Sequence, residues 1–160
     1  VVFPETSGSD SNGVLATAGG PNLERLPLNR TNPAPALGDK RSEPDQPHPF
    51  LTDLNVRKAL AMVINTTDMA KQLYGPAGDG TCIVLNSPSN LVSKNIKCAV
   101  VDDAAIAAAN KLLADAGWAQ GSDGIRHKTV GGKDVKMTIV YQTTAHAPPQ
   151  KAPAYVTEAW

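Results

Sequence analysis

Residues 49–75 constrain the fold of this chain most, because they form its longest segment with a strong helical period. Apolar residues that recur at steps of three and four share one face of a helix, and here they are Val56, Ala59, Leu60 and Val63. Thr52 or Asp53 can cap the start, since a short oxygen-bearing side chain accepts a hydrogen bond from the first free backbone N–H groups. The sequence therefore predicts an amphipathic helix with one face in a core.

A second, shorter helix is predicted after a polar interruption. Asn65 or Thr66 can cap it, and Met69 and Leu73 would then face inward. Gly75 is the residue at which this helix should end, because glycine readily adopts the backbone conformation found after a helix.

Composition describes a single globular domain. The chain has 160 residues, of which 41% are hydrophobic and 19% charged, and 15 basic residues balance 15 acidic ones. Such a balance argues against a nucleic-acid or anionic-membrane surface, which needs a basic patch. No apolar run approaches the roughly 20 residues needed to span a bilayer, so we expect no insertion into the membrane.

Proline dominates the first part of the chain. Residues 1–50 hold eight of the 13 prolines, and proline resists regular hydrogen-bonded ladders, so this part is predicted to be loop. Short strands are expected at residues 14–18 and 23–29, the second confined to an edge or a bulge by Pro27. Residues 30–49 are predicted to be an extended surface excursion, and a disordered linker is the alternative. The remaining residues, 51–160, should form the helical and hairpin part of the same domain.

Cys82 and Cys98 are the only cysteines, and they bracket a polar loop. Their spacing matches no metal motif, and histidine ligands are missing beside them. A disulfide here would stabilise the fold by about 3 kcal/mol on loop-entropy grounds. We predict this bridge in preference to two free buried thiols, and the bridge implies a location outside the cytoplasm.

Residues 102–116 have the clearest helical pattern of the chain. Asp102 can cap this helix, and the predicted inward stripe is Ile106, Ala109, Leu113 and Ala116. Gly117 supplies the left-handed position after the helix, so that Trp118 folds back onto Leu113.

A β-hairpin and a last helix are predicted downstream. Residues 125–129 and 135–142 flank a Val-Gly-Gly-Lys turn. The second strand should turn one set of side chains inward: Val135, Met137, Ile139 and Tyr141. Residues 149–160 then begin a helix in which Pro153 is tolerated only in the first turn. That helix is unfinished at Trp160, so we expect the chain to be a truncated piece of a longer protein.

Chemistry-bearing residues do not form a catalytic constellation in the sequence. His48, His127 and His146 are far apart, none has a partner four residues on, and each is predicted to be an exposed surface histidine. There is no Gly-x-Ser-x-Gly elbow, and no nucleophile, base and orienting group occur together. The sequence therefore predicts no enzyme, no metal site and no cofactor.

Several blocks of the chain resemble the family 5 extracellular solute-binding proteins, the peptide, dipeptide and nickel-binding receptors of ABC importers. The segment PFLTDLNVRKALAMVIN at residues 49–65 is similar to the family's PF-x-D-x-x-VR-x-AL-x-x-AI-D, although Asn65 stands where the family usually has Asp. YGPAG at residues 74–78 resembles the family's loop after the second helix. AANKLLADAGW at residues 108–118 resembles A-x-x-LL-x-x-AGW, and GSDGIR with the later Gly-Lys resembles the DGIR…GK hairpin.

A strand end with the sequence LPLNRTNP, at residues 26–33, resembles x-LN-x-T-x-P of the same family. The similarity runs from about residue 14 to the end of the chain. The prolines at 148, 149 and 153 depart from the family pattern, because they interrupt the expected last helix.

The resemblance implies an α/β fold, one lobe of a type II periplasmic binding protein with a small mixed sheet, packed helices and a hairpin. It implies the substrate-binding receptor of an ABC importer, which captures a peptide or similar small solute between two lobes and presents it to permease subunits. The implied location is the periplasm or the extracellular face of the membrane. The alternative is a non-transport interaction module built on the same lobe.

Candidate ligand-binding residues follow from a rule of open α/β sheets, which place ligands beyond the carboxyl ends of their strands. The rule indicates Gln142, Thr143 and Thr144 after the longer strand, and Asn29 and Arg30 after the earlier one. Gln and Thr can hydrogen-bond peptide groups, and Arg30 can pair with a ligand carboxylate. The plainer alternative for each is a solvated loop position.

Overall fold

The computed structural model describes residues 23–85, 90–98, 100–143 and 147–160. Its α-helices are α1 (Leu54–Met62), α2 (Thr66–Tyr74), α3 (Asp103–Asp115) and α4 (Ala147–Ala159), with short 3-10 helices at Pro35–Lys40 and Gly75–Ala77. The strands β1 (Ala119–Gln120), β2 (Arg126–Val130) and β3 (Lys133–Lys136) form an antiparallel sheet in the order β1-β2-β3. The predicted α/β class is confirmed. The strand predicted at residues 14–18 lies outside the described residues.

The hydrophobic core lies between α1 and α3, which pack against each other. Its buried members are Phe50, Leu51, Val56, Ala59, Leu60, Ala109, Leu113 and Trp118. Val63 packs against this core while partly buried, so the predicted inward face of α1 is confirmed. Trp118 and Val56 are the largest side chains that are fully buried.

The caps of α1 and α2 are those that the sequence predicts. Asp53 Oδ1 accepts a hydrogen bond from the Asn55 N–H at 2.8 Å. Asn65 Oδ1 accepts one from the Asp68 N–H at 3.0 Å. Gly75 follows α2 with a φ of 59°, a left-handed value that glycine adopts without strain.

Helix α3 begins and ends as predicted. Asp102 Oδ1 accepts a hydrogen bond from the Ala105 N–H at 2.8 Å. At the other end, Gly117 has a φ of 83°, and the Trp118 N–H donates to the Leu113 carbonyl at 2.9 Å. These features form a Schellman motif, which returns the chain towards the core and places Trp118 inside it.

The prediction that Ile106 lies on the inward face of α3 is wrong. Ile106 is 43% exposed, while Ala109 and Leu113 are buried and Leu112 packs against the core. The inward face is centred on Ala109 and Leu113, which puts Ile106 at its margin. Spacing in sequence gave Ile106 a place on the face, but only packing against α1 fixes the centre of that face.

The hairpin turn is tighter than predicted. Val130 pairs with Lys133, so the connection is only Gly131 and Gly132, whose φ values are 57° and 78°. A type I′ turn needs positive φ at both central residues, which explains the two glycines. Strand β2 accordingly runs to Val130, and β3 begins at Lys133.

The second strand ends at Lys136 and not at residue 142, so its predicted length is wrong. The last hydrogen bond across from β2 is donated by the Met137 N–H to the Arg126 carbonyl at 2.8 Å. No described segment forms a ladder with the residues after Met137, and a strand needs a paired neighbour. The alternation of burial nevertheless continues as predicted, with partly buried positions at Val135, Met137, Ile139 and Tyr141.

Helix α4 continues through Pro153, which corrects the prediction that this proline is tolerated only in the first turn. Proline removes one backbone donor from a helix interior, so other contacts must hold the helix. Ala152 and Val156 are buried, and the Tyr155 hydroxyl lies 3.2 Å from the Asn65 carbonyl oxygen. Trp160 Nε1 donates to the Leu60 carbonyl at 3.0 Å. Tertiary packing therefore outweighs the lost hydrogen bond.

Residues 30–49 form an ordered loop, and residues 23–29 do not form the predicted strand. An isolated bridge joins Thr31 to Pro47, and the His48 N–H donates to the Arg30 carbonyl at 2.8 Å. These contacts close the loop at its base and contradict the alternative of a disordered linker. Pro27 lacks a donor for a ladder, and no described segment lies beside residues 23–29 as a strand.

Candidate functional site

Asn29 and Arg30, two of the predicted ligand-binding residues, lie at the base of this loop. Asn29 Oδ1 accepts hydrogen bonds from the Thr31 N–H at 3.0 Å and from the Thr31 hydroxyl at 2.7 Å. The amide oxygen of Asn29 is thus used to shape a local turn. Arg30 is exposed, and its side chain makes no described hydrogen bond or ion pair, so its guanidinium faces solvent.

Gln142 and Thr143 are exposed, and Thr144 lies outside the described residues. The strand-end argument for all three is wrong, because β3 ends at Lys136. Within the described ranges, no hydrogen bond or ion pair joins Gln142 or Thr143 to Asn29 or Arg30. A role for any of these residues in ligand binding stays a prediction.

His48 is buried, which corrects the prediction of an exposed histidine. Its Nδ1 accepts hydrogen bonds from the N–H groups of Phe50 and Leu51, at 3.3 Å and 3.1 Å. Burial lowers the pKa of His48, because it penalises the charged imidazolium. A neutral ring is also the form that can accept at Nδ1, so His48 is a structural residue that shapes the turn before α1.

Trp118 contacts side chains from two parts of the chain, the segment before α1 and strand β2. The Phe50 ring meets it edge-on with centroids 5.5 Å apart, and Lys128 Nζ lies 5.8 Å from its centroid. Lys128 Nζ also donates to the Ala116 carbonyl at 2.7 Å, where a cation complements the carboxyl end of α3. Arg126 Nη1 donates to the Trp118 carbonyl at 2.7 Å. These bonds fasten the hairpin to α3.

An open cleft of about 520 Å³ lies beside this arrangement. It is lined by Pro49, Phe50, Thr52, Asp53, Trp118, Lys128, Thr129, Val130 and Gly131, and none of the predicted ligand-binding residues is among them. Three of its polar side chains have partners: Thr52 donates to the His48 carbonyl, Asp53 caps α1, and Lys128 caps α3. Trp118 Nε1, by contrast, is buried without a hydrogen-bond partner among the described residues. The cleft lies between the turn before α1 and the hairpin.

His127 was expected to be exposed and alone, but it lies between two carboxylates with its side chain 22% exposed. Nδ1 is 2.9 Å from Asp134 Oδ2, and Nε2 is 3.1 Å from Asp123 Oδ1. Hydrogen bonds from the His127 ring to Asp134 and Asp123 raise the pKa of His127, because they favour the charged imidazolium. The two glycines of the turn are the sequence signal that could have found this cluster, because a two-residue turn sets the register that puts Asp134 diagonally beside His127.

Cys82 and Cys98 form a disulfide with Cα atoms 5.4 Å apart, so the predicted pairing is confirmed. Neither residue is therefore available as a ligand or nucleophile. Among the residues that the structure describes, no cluster of three or more His, Cys, Asp or Glu could hold a metal ion. No helix in the same residues is long and apolar enough to cross a bilayer.

Comparison with protein families matches residues 5–160 to the bacterial extracellular solute-binding proteins, family 5 Middle. Comparisons with curated proteins and with solved structures give no match. The family match spans nearly the whole chain and agrees with the α/β fold. The chain belongs to the family 5 bacterial extracellular solute-binding proteins.

Proposed function

We propose that the chain forms most of one lobe of an ABC-importer receptor that captures a peptide or similar small solute between two lobes. The observation that carries this proposal is the family match over residues 5–160. Members of this family are binding proteins, so the proposed role is capture without chemical change. Closure of the lobes is selected when the solute contacts both of them. Permease subunits are the proposed partners.

A location in the periplasm or on the extracellular face follows from the proposed role. The disulfide between Cys82 and Cys98 supports it, because structural disulfides persist mainly in oxidising compartments. The absence of a spanning helix in the described residues is compatible with a receptor lobe outside the bilayer.

Arg30 is the proposed ligand contact with the clearest chemistry. Its guanidinium faces solvent and can bind a carboxylate through two parallel hydrogen bonds. Gln142, Thr143 and Thr144 are the proposed contacts to peptide groups of the solute. Asn29 supports the turn that presents Arg30.

The test is calorimetric titration of the full-length receptor that contains this chain with a library of short peptides. Arg30→Ala should weaken binding of peptides with a free carboxylate by about tenfold or more, the loss expected for a hydrogen bond to a charged group. Arg41→Ala is the matched control, because Arg41 is exposed in the same loop, and it should leave the affinity unchanged.

Three outcomes would contradict parts of the proposal. Equal effects of the two arginine variants would remove Arg30 from the site. Hydrolysis of the peptides would overturn the receptor role. Tight binding of a protein partner by the 160-residue chain, with no small solute bound by the full receptor, would favour the non-transport interaction module.

A further inference from the structure

His127 lies between two groups that can only accept hydrogen bonds. Nδ1 is 2.9 Å from Asp134 Oδ2 on β3, and Nε2 is 3.1 Å and 3.2 Å from the two oxygens of Asp123, in the turn before β2. A neutral imidazole donates from one nitrogen only, whereas the imidazolium donates from both. The doubly protonated ring is therefore the form that satisfies this geometry.

The charges around the ring balance only when it is protonated. Lys136 pairs with His127 across the ladder, and its Nζ donates to Asp123 Oδ2 at 2.8 Å. On the other side, β1 presents the uncharged Ala119 opposite His127. Among the described residues, the charged groups that face the ring are thus Asp123, Asp134 and Lys136. A neutral ring would leave one excess negative charge and turn a lone pair towards a carboxylate.

The ring is also confined by the backbone beside it. A Cβ built on Gly121 would lie 2.8 Å from His127 Cδ2 and 2.9 Å from Nε2, so the ring packs directly on this glycine. Gly121 itself closes the turn, because its N–H donates to the Ile125 carbonyl at 2.7 Å. If one hydrogen bond to a carboxylate is lost, the ring therefore cannot move towards Gly121 to compensate.

We propose that His127 is a protonation-dependent clasp, which in its charged form ties the turn before β2 to strand β3 and which loosens the hairpin when it becomes neutral. The clasp consists of His127, Asp123, Asp134 and Lys136. It acts on the hairpin that Arg126 and Lys128 fasten to α3. The inference does not depend on the proposed function, because it rests on contacts within the hairpin.

The direction in which the stability of the hairpin changes with pH follows from the pKa of His127, which is raised, and the pKa of Asp123, which is lowered. The bonds to Asp134 and Asp123 raise the pKa of His127 above its ordinary value of 6.5. The contribution of His127 is then fully present below that ordinary value and is lost as pH rises through the raised pKa. Hydrogen bonds from Lys136, the Ile125 N–H and His127 hold the pKa of Asp123 well below its usual range. Its contribution is lost only as strong acid protonates it.

The test is a nitrogen-15 NMR titration of the 160-residue chain, with hydrogen exchange measured at the same pH values. Both ring nitrogens of His127 should be protonated on the acid side, with a midpoint above that of a free histidine. As the pH rises through this midpoint, the Met137 N–H should lose protection from exchange. Its protection is expressed as a ratio to that of the amides of α3, because the ratio cancels the general effect of pH on exchange.

Two variants and one control variant separate the effect of the clasp from general stability. Asp134→Asn should lower the midpoint of His127, while Asp115→Asn, which alters a carboxylate bound to Lys111 on α3, should leave it unchanged. His127→Gln should abolish the pH dependence of the protection ratio. A midpoint at or below 6.5 would overturn the proposal. So would a protection ratio that is constant across the titration of His127.

Discussion

The helix pair α1–α3 and the segment around the disulfide are held in opposite ways. In the helix pair, Trp118 is 1% exposed and Phe50 is 3% exposed. Around the disulfide, Val84 is 74% exposed and Ile96 is 54% exposed, and the described residues between Cys82 and Cys98 form no helix or strand. One region gains its stability from burial of apolar surface, and the other depends on a covalent link.

The difference shows where stability can be lost by a single change. Full burial of a large apolar side chain contributes about 1.5–3 kcal/mol, and the contacts of a packed core add to that. An exposed apolar side chain gains little of this energy. A disulfide instead restricts the unfolded chain, so its contribution does not require a core around it.

The largest expected effect is at Trp118. Trp118→Ala removes the side chain that meets Phe50 and Lys128, and it should lower the free energy of unfolding by about 3–5 kcal/mol. Urea denaturation followed by circular dichroism measures this. Trp160→Ala is the control, because Trp160 is 36% exposed, and its loss should be smaller. Equal losses would show that the core is not centred on Trp118.

A second pair of variants tests the inward face of α3. Leu113→Ala should cost about 2–5 kcal/mol of unfolding free energy, because Leu113 is buried in the core. Ile106→Ala should cost much less, because that side chain is 43% exposed. Thermal unfolding of both variants measures the two losses. A larger loss for Ile106→Ala than for Leu113→Ala would support the inward face that the sequence spacing predicts.

Loss of the disulfide should have an effect of about 3 kcal/mol, the value expected for a loop of this length. The variant Cys82→Ser with Cys98→Ser removes the bridge without leaving an unpaired thiol. Denaturation with and without reductant measures the change, and the double variant must not respond to reductant. A loss well above about 3 kcal/mol would mean that the loop is also coupled to the core.

The smallest effect concerns the start of α3. Asp102→Ala removes the oxygen that accepts from the Ala105 N–H and should cost about 1 kcal/mol of unfolding free energy. Asp102→Asn keeps a capping oxygen and should cost less. If both variants lose the same amount, the negative charge near the helix dipole matters more than the cap itself.

Local signals gave correct predictions of the helix caps, because the decisive partner of each cap is close in sequence. Asp53, Asn65 and Asp102 cap their helices because the N–H groups that they bind lie within three residues. Gly117 ends α3 for the same reason. The candidate site was harder to predict, because the strand-end argument for Gln142 and Thr143 depends on which segment lies beside β3.

Two of the wrong predictions concern residues whose surroundings depend on parts of the chain that are distant in sequence. His48 was predicted to be exposed, but its burial depends on Phe50 packing against Trp118. Pro153 was expected near a helix start, yet contacts from Asn65 and Leu60 hold α4 around it. Such contacts join residues 90 and 100 positions apart, which no local pattern contains.

The sequence by itself determined the family, the positions of the helices, the disulfide pair and the alternation after Val135, because each rests on spacing or on short-range hydrogen bonds. Tertiary structure alone decided that Ile106 lies outside the core, that β3 ends at Lys136 and that His48 is buried. The physical reason is that burial and strand pairing depend on neighbours in space, and the order of residues along the chain does not specify those neighbours until the helices and the hairpin pack.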